Sequence, residues 1–295
     1  MKGGSSMRTT GRALLALLLG LLVGLLGACS TQEPQGVSEG VSSSQPQEEP
    51  AVPTGGDPVQ TGLIAEQILD SDEGEIHYSY FLPEGYQADR QYPLMMVMPG
   101  YDMMWFGEAS SGANLNWRGF RCWTELDEEM IVVSAQLTDW GERSARQAVA
   151  LTEYFLAHFS VDPARVYAAG YSAGGETMSR AVSMRPDLYA ACLHGASRWD
   201  GTFDPVAENG VAVYIFMAEH DEYYGSQRAR DAYSGLYEAY RSAGWSQEQI
   251  DGMLQLEIPP DEYFNSRGIY NYHGGGNILF EDEGILSWIL SHSKA

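Results

Sequence analysis

The sequence predicts an α/β domain with a mostly parallel central sheet and helices on both faces. Three observations carry this. Short unbroken apolar runs such as residues 92–98 (YPLMMVM) and 211–218 (VAVYIFMA) suit strands buried on both faces. They alternate along the chain with stretches whose apolar residues recur at helical spacing, the order in which right-handed crossovers build a parallel sheet. Residues 166–178 read as strand, sharp turn and helix around Gly170-Tyr171-Ser172-Ala173-Gly174. No internal repeat is visible.

The chain begins outside this domain. Lys2, Arg8 and Arg12 form a basic region, residues 13–26 are apolar, and Leu26-Gly27-Ala28-Cys29 places small residues before a cysteine. That order is a secretory signal, and its apolar part falls short of the about 20 residues that span a bilayer. The final residues resemble a bacterial lipobox, which implies cleavage before Cys29, lipidation of Cys29 and a protein held on the extracytoplasmic side of the membrane. Residues 29–58, rich in Ser, Gln, Glu, Pro and Gly, are expected to be a disordered tether, and 59–295 the folded domain.

Three of the 17 Lys and Arg lie in the signal and none of the 40 Asp and Glu, so the remaining chain has a net charge of −26. Such a surface repels nucleic acid and anionic lipid headgroups, and fits a soluble or neutral small-molecule substrate. Besides Cys29 there are Cys122 and Cys192, read as two small buried hydrophobes, since nothing in the sequence brings them together.

In order, residues 75–82 (EIHYSYFL) alternate as an antiparallel edge strand, turned by Pro83-Glu84-Gly85-Tyr86. Residues 92–98 form a buried strand closed by Pro99-Gly100. Tyr101 to Phe106 start a loop at its carboxyl end, where open α/β sheets bind ligands. Residues 130–135 (MIVVSA) are another buried strand and 144–159 a helix. The strand 166–169 feeds the turn at Ser172, and 173–184 form a helix that stops before Pro186. Candidate strands follow at 189–196 and 211–218, then a helix at 227–243, a last strand at 253–258 or 268–272, and a closing helix at 283–292.

The pattern G-x-S-x-G is a nucleophile elbow, in which a strained turn exposes a serine and the glycines avoid a collision between strand and helix. A serine hydroxyl needs an imidazole to take its proton, and the imidazole a carboxylate to fix its tautomer. His273, in Tyr272-His273-Gly274-Gly275-Gly276, is expected to swing from a flexible loop over Ser172, with His220 as rival. Asp221, just past the strand at 211–218, is the candidate acid. Its neighbours Glu219 and Glu222, and Asp200 or Asp204 after the preceding strand, stay open. The oxyanion donors expected are the N–H groups of Ala173 and Tyr101. Aromatic residues crowd the surrounding loops (Trp105, Phe106, Trp117, Trp123, Trp140, Trp199, Tyr223, Tyr224), and Trp105, Trp199 and Tyr171 are expected to touch substrate.

Taken together, FLPEGYQADRQYPLMMVMPG, VDPARVYAAGYSAGGETM, AEHD and YHGGG resemble the α/β-hydrolase superfamily, more narrowly its secreted feruloyl, acetyl-xylan and polyhydroxybutyrate-depolymerase-like esterases. The resemblance covers most of residues 75–290 and implies a hydrolase fold with Ser172, Asp221 and His273 as nucleophile, acid and base, and no metal or organic cofactor. It departs at Pro99-Gly100, where relatives commonly carry His-Gly. It implies an esterase for acylated carbohydrate or small esters. A prolyl-oligopeptidase-like peptidase and an inactive surface-binding lipoprotein are the alternatives.

Overall fold

The computed structural model describes residues 60–294. The expected signal, Cys29 and the tether lie outside the described residues. Among the described residues no helix is long and apolar enough to cross a membrane.

Eight strands form one sheet: β1 (Gly62–Ser71), β2 (Gly74–Leu82), β3 (Tyr92–Met98), β4 (Ile131–Gln136), β5 (Val161–Tyr171), β6 (Ala191–Gly195), β7 (Ala212–Phe216) and β8 (Leu254–Glu257). Their order across the sheet is β1-β2-β4-β3-β5-β6-β7-β8. β1 pairs with β2 and β2 with β4 antiparallel, and every later pairing is parallel. The helices are α1 (Arg118–Thr124), α2 (Glu142–His158), α3 (Ala173–Met184), α4 (Asp204–Glu208), α5 (Ser226–Ser242), α6 (Gln247–Met253), α7 (Asp261–Asn265), α8 (Tyr272–Gly275) and α9 (Glu283–Leu290).

The period of two along each strand sorts the core into two layers. From β5, Val166 and Ala168 join the cluster that holds Phe155 of α2, Met178 of α3 and Leu236 of α5. Tyr167 and Ala169 point the other way, into the cluster of Trp123 of α1, Phe264 of α7 and Ile289 of α9. Cys122 and Cys192 are free, buried and in different layers, so the sheet lies between their clusters.

Three expectations about elements need correction. Residues 75–82 do not form the sheet edge, because β1 pairs outside β2. β1 escapes the period-two reading because a bulge between Ile64 and Gln67, with Glu66 at φ 58°, breaks its alternation. β5 starts earlier than residue 166, at the buried Val161, and Asp162 to Arg165, partly buried or exposed, interrupt its apolar run. Of the two options for the last strand, 254–257 is the strand, while 268–272 is the approach to α8.

Candidate active site

Ser172 turns the chain where two elements meet. β5 ends at Tyr171 on the carboxyl edge of the sheet and α3 starts at Ala173, so a single residue makes the reversal. It does so at φ 53° and ψ −122°, a region that residues with a side chain rarely occupy. The flanking glycines are sterically required. A Cβ on Gly170 would lie 2.4 Å from the Gly174 carbonyl oxygen, and one on Gly174 2.1 Å from that of Met98. The Ser172 N–H donates to the Gly195 carbonyl at 3.0 Å, and Ser197 Oγ donates to the Ser172 carbonyl at 2.7 Å, which ties the turn to the end of β6.

Ser172 Oγ lies 3.0 Å from His273 Nε2, and His273 Nδ1 lies 2.8 Å from Asp221 Oδ2. With Nδ1 donating to the carboxylate, Nε2 carries the lone pair that can accept the serine proton. Asp221 follows β7, and its side chain is fully buried. Its second oxygen accepts the N–H groups of Tyr223 at 3.0 Å and Tyr224 at 2.7 Å. Burial pushes this carboxyl up, but the His273 hydrogen bond, the two amides and the His273 charge outweigh it and hold it below the usual carboxylate range.

His273 does not hang from a flexible loop, as its glycine-rich surroundings suggested. It sits in the short helix α8, whose first turn is capped by Asn271 Oδ1 accepting from the Gly274 N–H at 2.8 Å. Glu222 accepts the N–H groups of Tyr272 at 2.9 Å and His273 at 2.7 Å. The Tyr171 phenol donates to the His273 carbonyl. Glu222 thus acts as a clamp on the backbone that bears the imidazole.

Ser172 and His273 border a cleft of about 620 Å³. Tyr101 and Ala173 line it beside Ser172. Each opens a helical turn, where the first N–H groups have no partner within the helix and are available to an anion. Tyr171 also lines the cleft, mostly buried. Trp140, Tyr223 and Tyr224 line it too.

Trp105 and Trp199, expected to touch substrate, do not line the cleft. Trp105 stacks on His77 with ring centroids 3.5 Å apart, and Trp199 packs against His194 and Phe203. Trp123 is core, and Trp117 is buried with its Nε1 donating to Asn277 Oδ1 at 2.6 Å. His220 is exposed and paired with Asp261 at 2.8 Å. Asp200 binds Arg180, and Asp204 opens α4.

No local pattern in the sequence marks Glu176, although it lies one helical turn past Ser172 and so on the same face of α3. It lines the cleft while almost fully buried. Its Oε2 accepts from Arg198 Nη2 at 2.9 Å and Nε at 3.1 Å, and its Oε1 from the Tyr224 hydroxyl at 2.5 Å. The Arg198 charge compensates the Glu176 carboxylate. Among the described residues no cluster of His, Cys, Asp and Glu is arranged to hold a metal ion.

Comparison with known proteins agrees with this architecture. Residues 134–246 match the prolyl oligopeptidase family, peptidase S9. That stretch contains Ser172 and Asp221 and ends before His273. No curated protein matches the chain. Among solved structures, a thermostable esterase superposes with a TM-score of 0.66 at 19% identity, over 79% of this chain and 63% of its own. A putative dipeptidyl aminopeptidase IV from Bacteroides ovatus gives 0.54 at 12%, over 78% of this chain and 36% of its own. Est1E from Butyrivibrio proteoclasticus gives 0.50 at 15%, over 77% and 99%. The chain thus spans less than two thirds of the length of the first two. The sheet order, the turn at Ser172 and these superpositions together give the chain the α/β-hydrolase fold.

Proposed function

We propose that this protein is a serine hydrolase acting on carboxylic esters, acylated carbohydrates or small esters, through an acyl-enzyme. The observation that carries the reading is the unbroken line of hydrogen bonds from Ser172 Oγ through His273 to Asp221, at 3.0 and 2.8 Å. In this reading Ser172 Oγ attacks the ester carbonyl while His273 Nε2 takes its proton. The negative oxygen of the tetrahedral intermediate meets the N–H groups of Ala173 and Tyr101. Imidazolium then protonates the departing alcohol, and the same nitrogen activates water to release the acyl group. Asp221 keeps its negative charge throughout and stabilises the imidazolium. The signal-like residues before Cys29 support a lipid-anchored protein outside the cytoplasm.

The test is labelling of the full chain by a fluorophosphonate together with hydrolysis of p-nitrophenyl acetate. The parent is expected to label and turn over. Ser172→Ala is expected to do neither, with kcat lowered by a factor on the order of 10⁴ or more. A parent that neither labels nor hydrolyses overturns the reading in favour of a binding protein built on this fold.

The prolyl oligopeptidase match over residues 134–246 favours a second reading, amide-bond hydrolysis with the same three residues. A p-nitroanilide peptide cleaved with higher kcat/KM than the matched ester would select it.

A further inference from the structure

The outer, more exposed part of the cleft is lined by side chains that the proposed chemistry leaves unused, those of Tyr101, Asp102 and Trp140, and neither Lys nor Arg lines the cleft. The carboxylates nearer Ser172 are all engaged: Glu176 by Arg198 and Tyr224, Asp221 by His273 and two amides, and Glu222 by the amides of Tyr272 and His273. Asp102 differs from them. It makes no hydrogen bond or ion pair with any described residue, yet its charge, after burial and Asp221, contributes to pushing up the phenol of Tyr171 inside the cleft. Beside it the rings of Tyr101 and Trp140 stand edge to face, with centroids 5.8 Å apart and planes at 84°, and both are large aromatics left open to solvent at 53% and 38% exposure. Phe106 also packs against Tyr101, with ring centroids 5.1 Å apart, and the parts of the Tyr101 and Trp140 rings left open to solvent line the same cleft as a free carboxylate. A cation is drawn to both, and an organic ammonium ion, weakly hydrated around its methyl or methylene groups, gives up little solvation to settle there. The net charge of −23 over the whole chain draws cations toward the same surface.

We infer that the outer cleft is a binding site for an organic ammonium group, held between the Asp102 carboxylate and the rings of Tyr101 and Trp140. Its consequence for catalysis rests on the ester-hydrolase reading: the favoured esters carry a positive charge on the part of the molecule that extends outward from Ser172. Esters with a negative charge there are disfavoured.

The experiment is calorimetric titration of the full chain with choline and with 3,3-dimethylbutan-1-ol, which has the same shape and no charge. The parent is expected to bind choline about tenfold more tightly than the alcohol, Asp102→Asn to bring the two within about threefold, and Trp140→Ala to weaken choline about fivefold. Asp102 is exposed, so Asp102→Asn leaves the fold intact and keeps the test decisive if Trp140→Ala fails to fold. Equal affinity for the two compounds in the parent, no choline binding, or a preference that survives in Asp102→Asn overturns the inference. In parallel, kcat/KM is compared for choline acetate and 3,3-dimethylbutyl acetate, with an expected preference of about tenfold for the cation. A parent that binds choline through Asp102 but hydrolyses neither ester and takes no fluorophosphonate label supports the site and overturns only the hydrolase reading.

Discussion

The segment that carries Ser172 and the segment that carries His273 are held by different kinds of force. Around Ser172 the backbone itself leaves no choice, since Gly170 and Gly174 pack against carbonyl groups with no room for a methyl. Around His273 the backbone is ordinary and side chains do the holding: Glu222, Asn271 and Tyr171 each bind one or two of its peptide groups. The first design is rigid because any alternative collides, the second because several separate hydrogen bonds agree. A motif in consecutive residues encodes the first, whereas the second needs residues 51 and 102 positions away in the chain.

The sharpest test of this contrast removes the acid that links the two. Asp221→Asn keeps the amide hydrogen bonds of its turn but reverses the donor and acceptor roles toward His273 Nδ1. Its kcat on p-nitrophenyl acetate is expected to fall by about 10⁴ with thermal stability nearly unchanged. Next come the glycines. Gly174→Ala places a methyl 2.1 Å from the Met98 carbonyl oxygen and is expected to cost about 3 kcal/mol or more, a fall in Tm of about 10 °C by calorimetry. Gly274→Ala meets only the Asn271 side chain, at 3.3 Å, and is expected to cost less than about 1 kcal/mol. Equal losses at the two positions would erase the distinction.

Acid sharpens it further, through a histidine behind the elbow. His194 pairs with Gly170 in the sheet register, and its buried ring nitrogens make no well-formed hydrogen bond among the described residues, the Ser197 backbone being only a weak partner. Burial pushes it down to about 4, opposed in part by the Ser197 backbone. Because the folded-state value lies below the unfolded one, His194 contributes stability above pH 6.5 that is lost as pH falls from 6.5 toward 4. The loss amounts to about 3 kcal/mol. Urea unfolding at pH 7, 5.5 and 4.5 is expected to show it, and His194→Leu to flatten that dependence. The clamp gives a modest effect of its own. Glu222→Ala frees two peptide N–H groups without touching the imidazole, and about a tenfold drop in kcat/KM is expected, with a stability cost of about 1 kcal/mol. A drop as deep as that of Asp221→Asn would mean that Glu222 does more than hold the backbone.

The same contrast governs what could be read in advance. β3, β4 and β7 are legible because burial on both faces writes a continuous apolar run. The half-buried β1 and the four-residue β8 carry no such mark, and a bulge at Glu66 erases what alternation β1 has. Ser172 is legible because its turn demands glycines at fixed positions, and His273 and Asp221 stand out by their order and their place after strands. The clamp at Glu222 and the pairing of Glu176 with Arg198 and Tyr224 join residues far apart in sequence and leave no local pattern. Trp105 and Trp199 mislead for a related reason. Composition reveals that a loop holds a large ring but not which way it faces, and here one covers His77 and the other joins the core beside His194.

The phenol of Tyr171 adds something that neither segment has alone. Its residue ends β5 just before Ser172, and its hydroxyl grips the carbonyl of His273. When thermal motion displaces the end of that strand, serine and imidazole are carried along together. The displacement is common to both, and the 3.0 Å gap between Ser172 Oγ and His273 Nε2 is largely spared it.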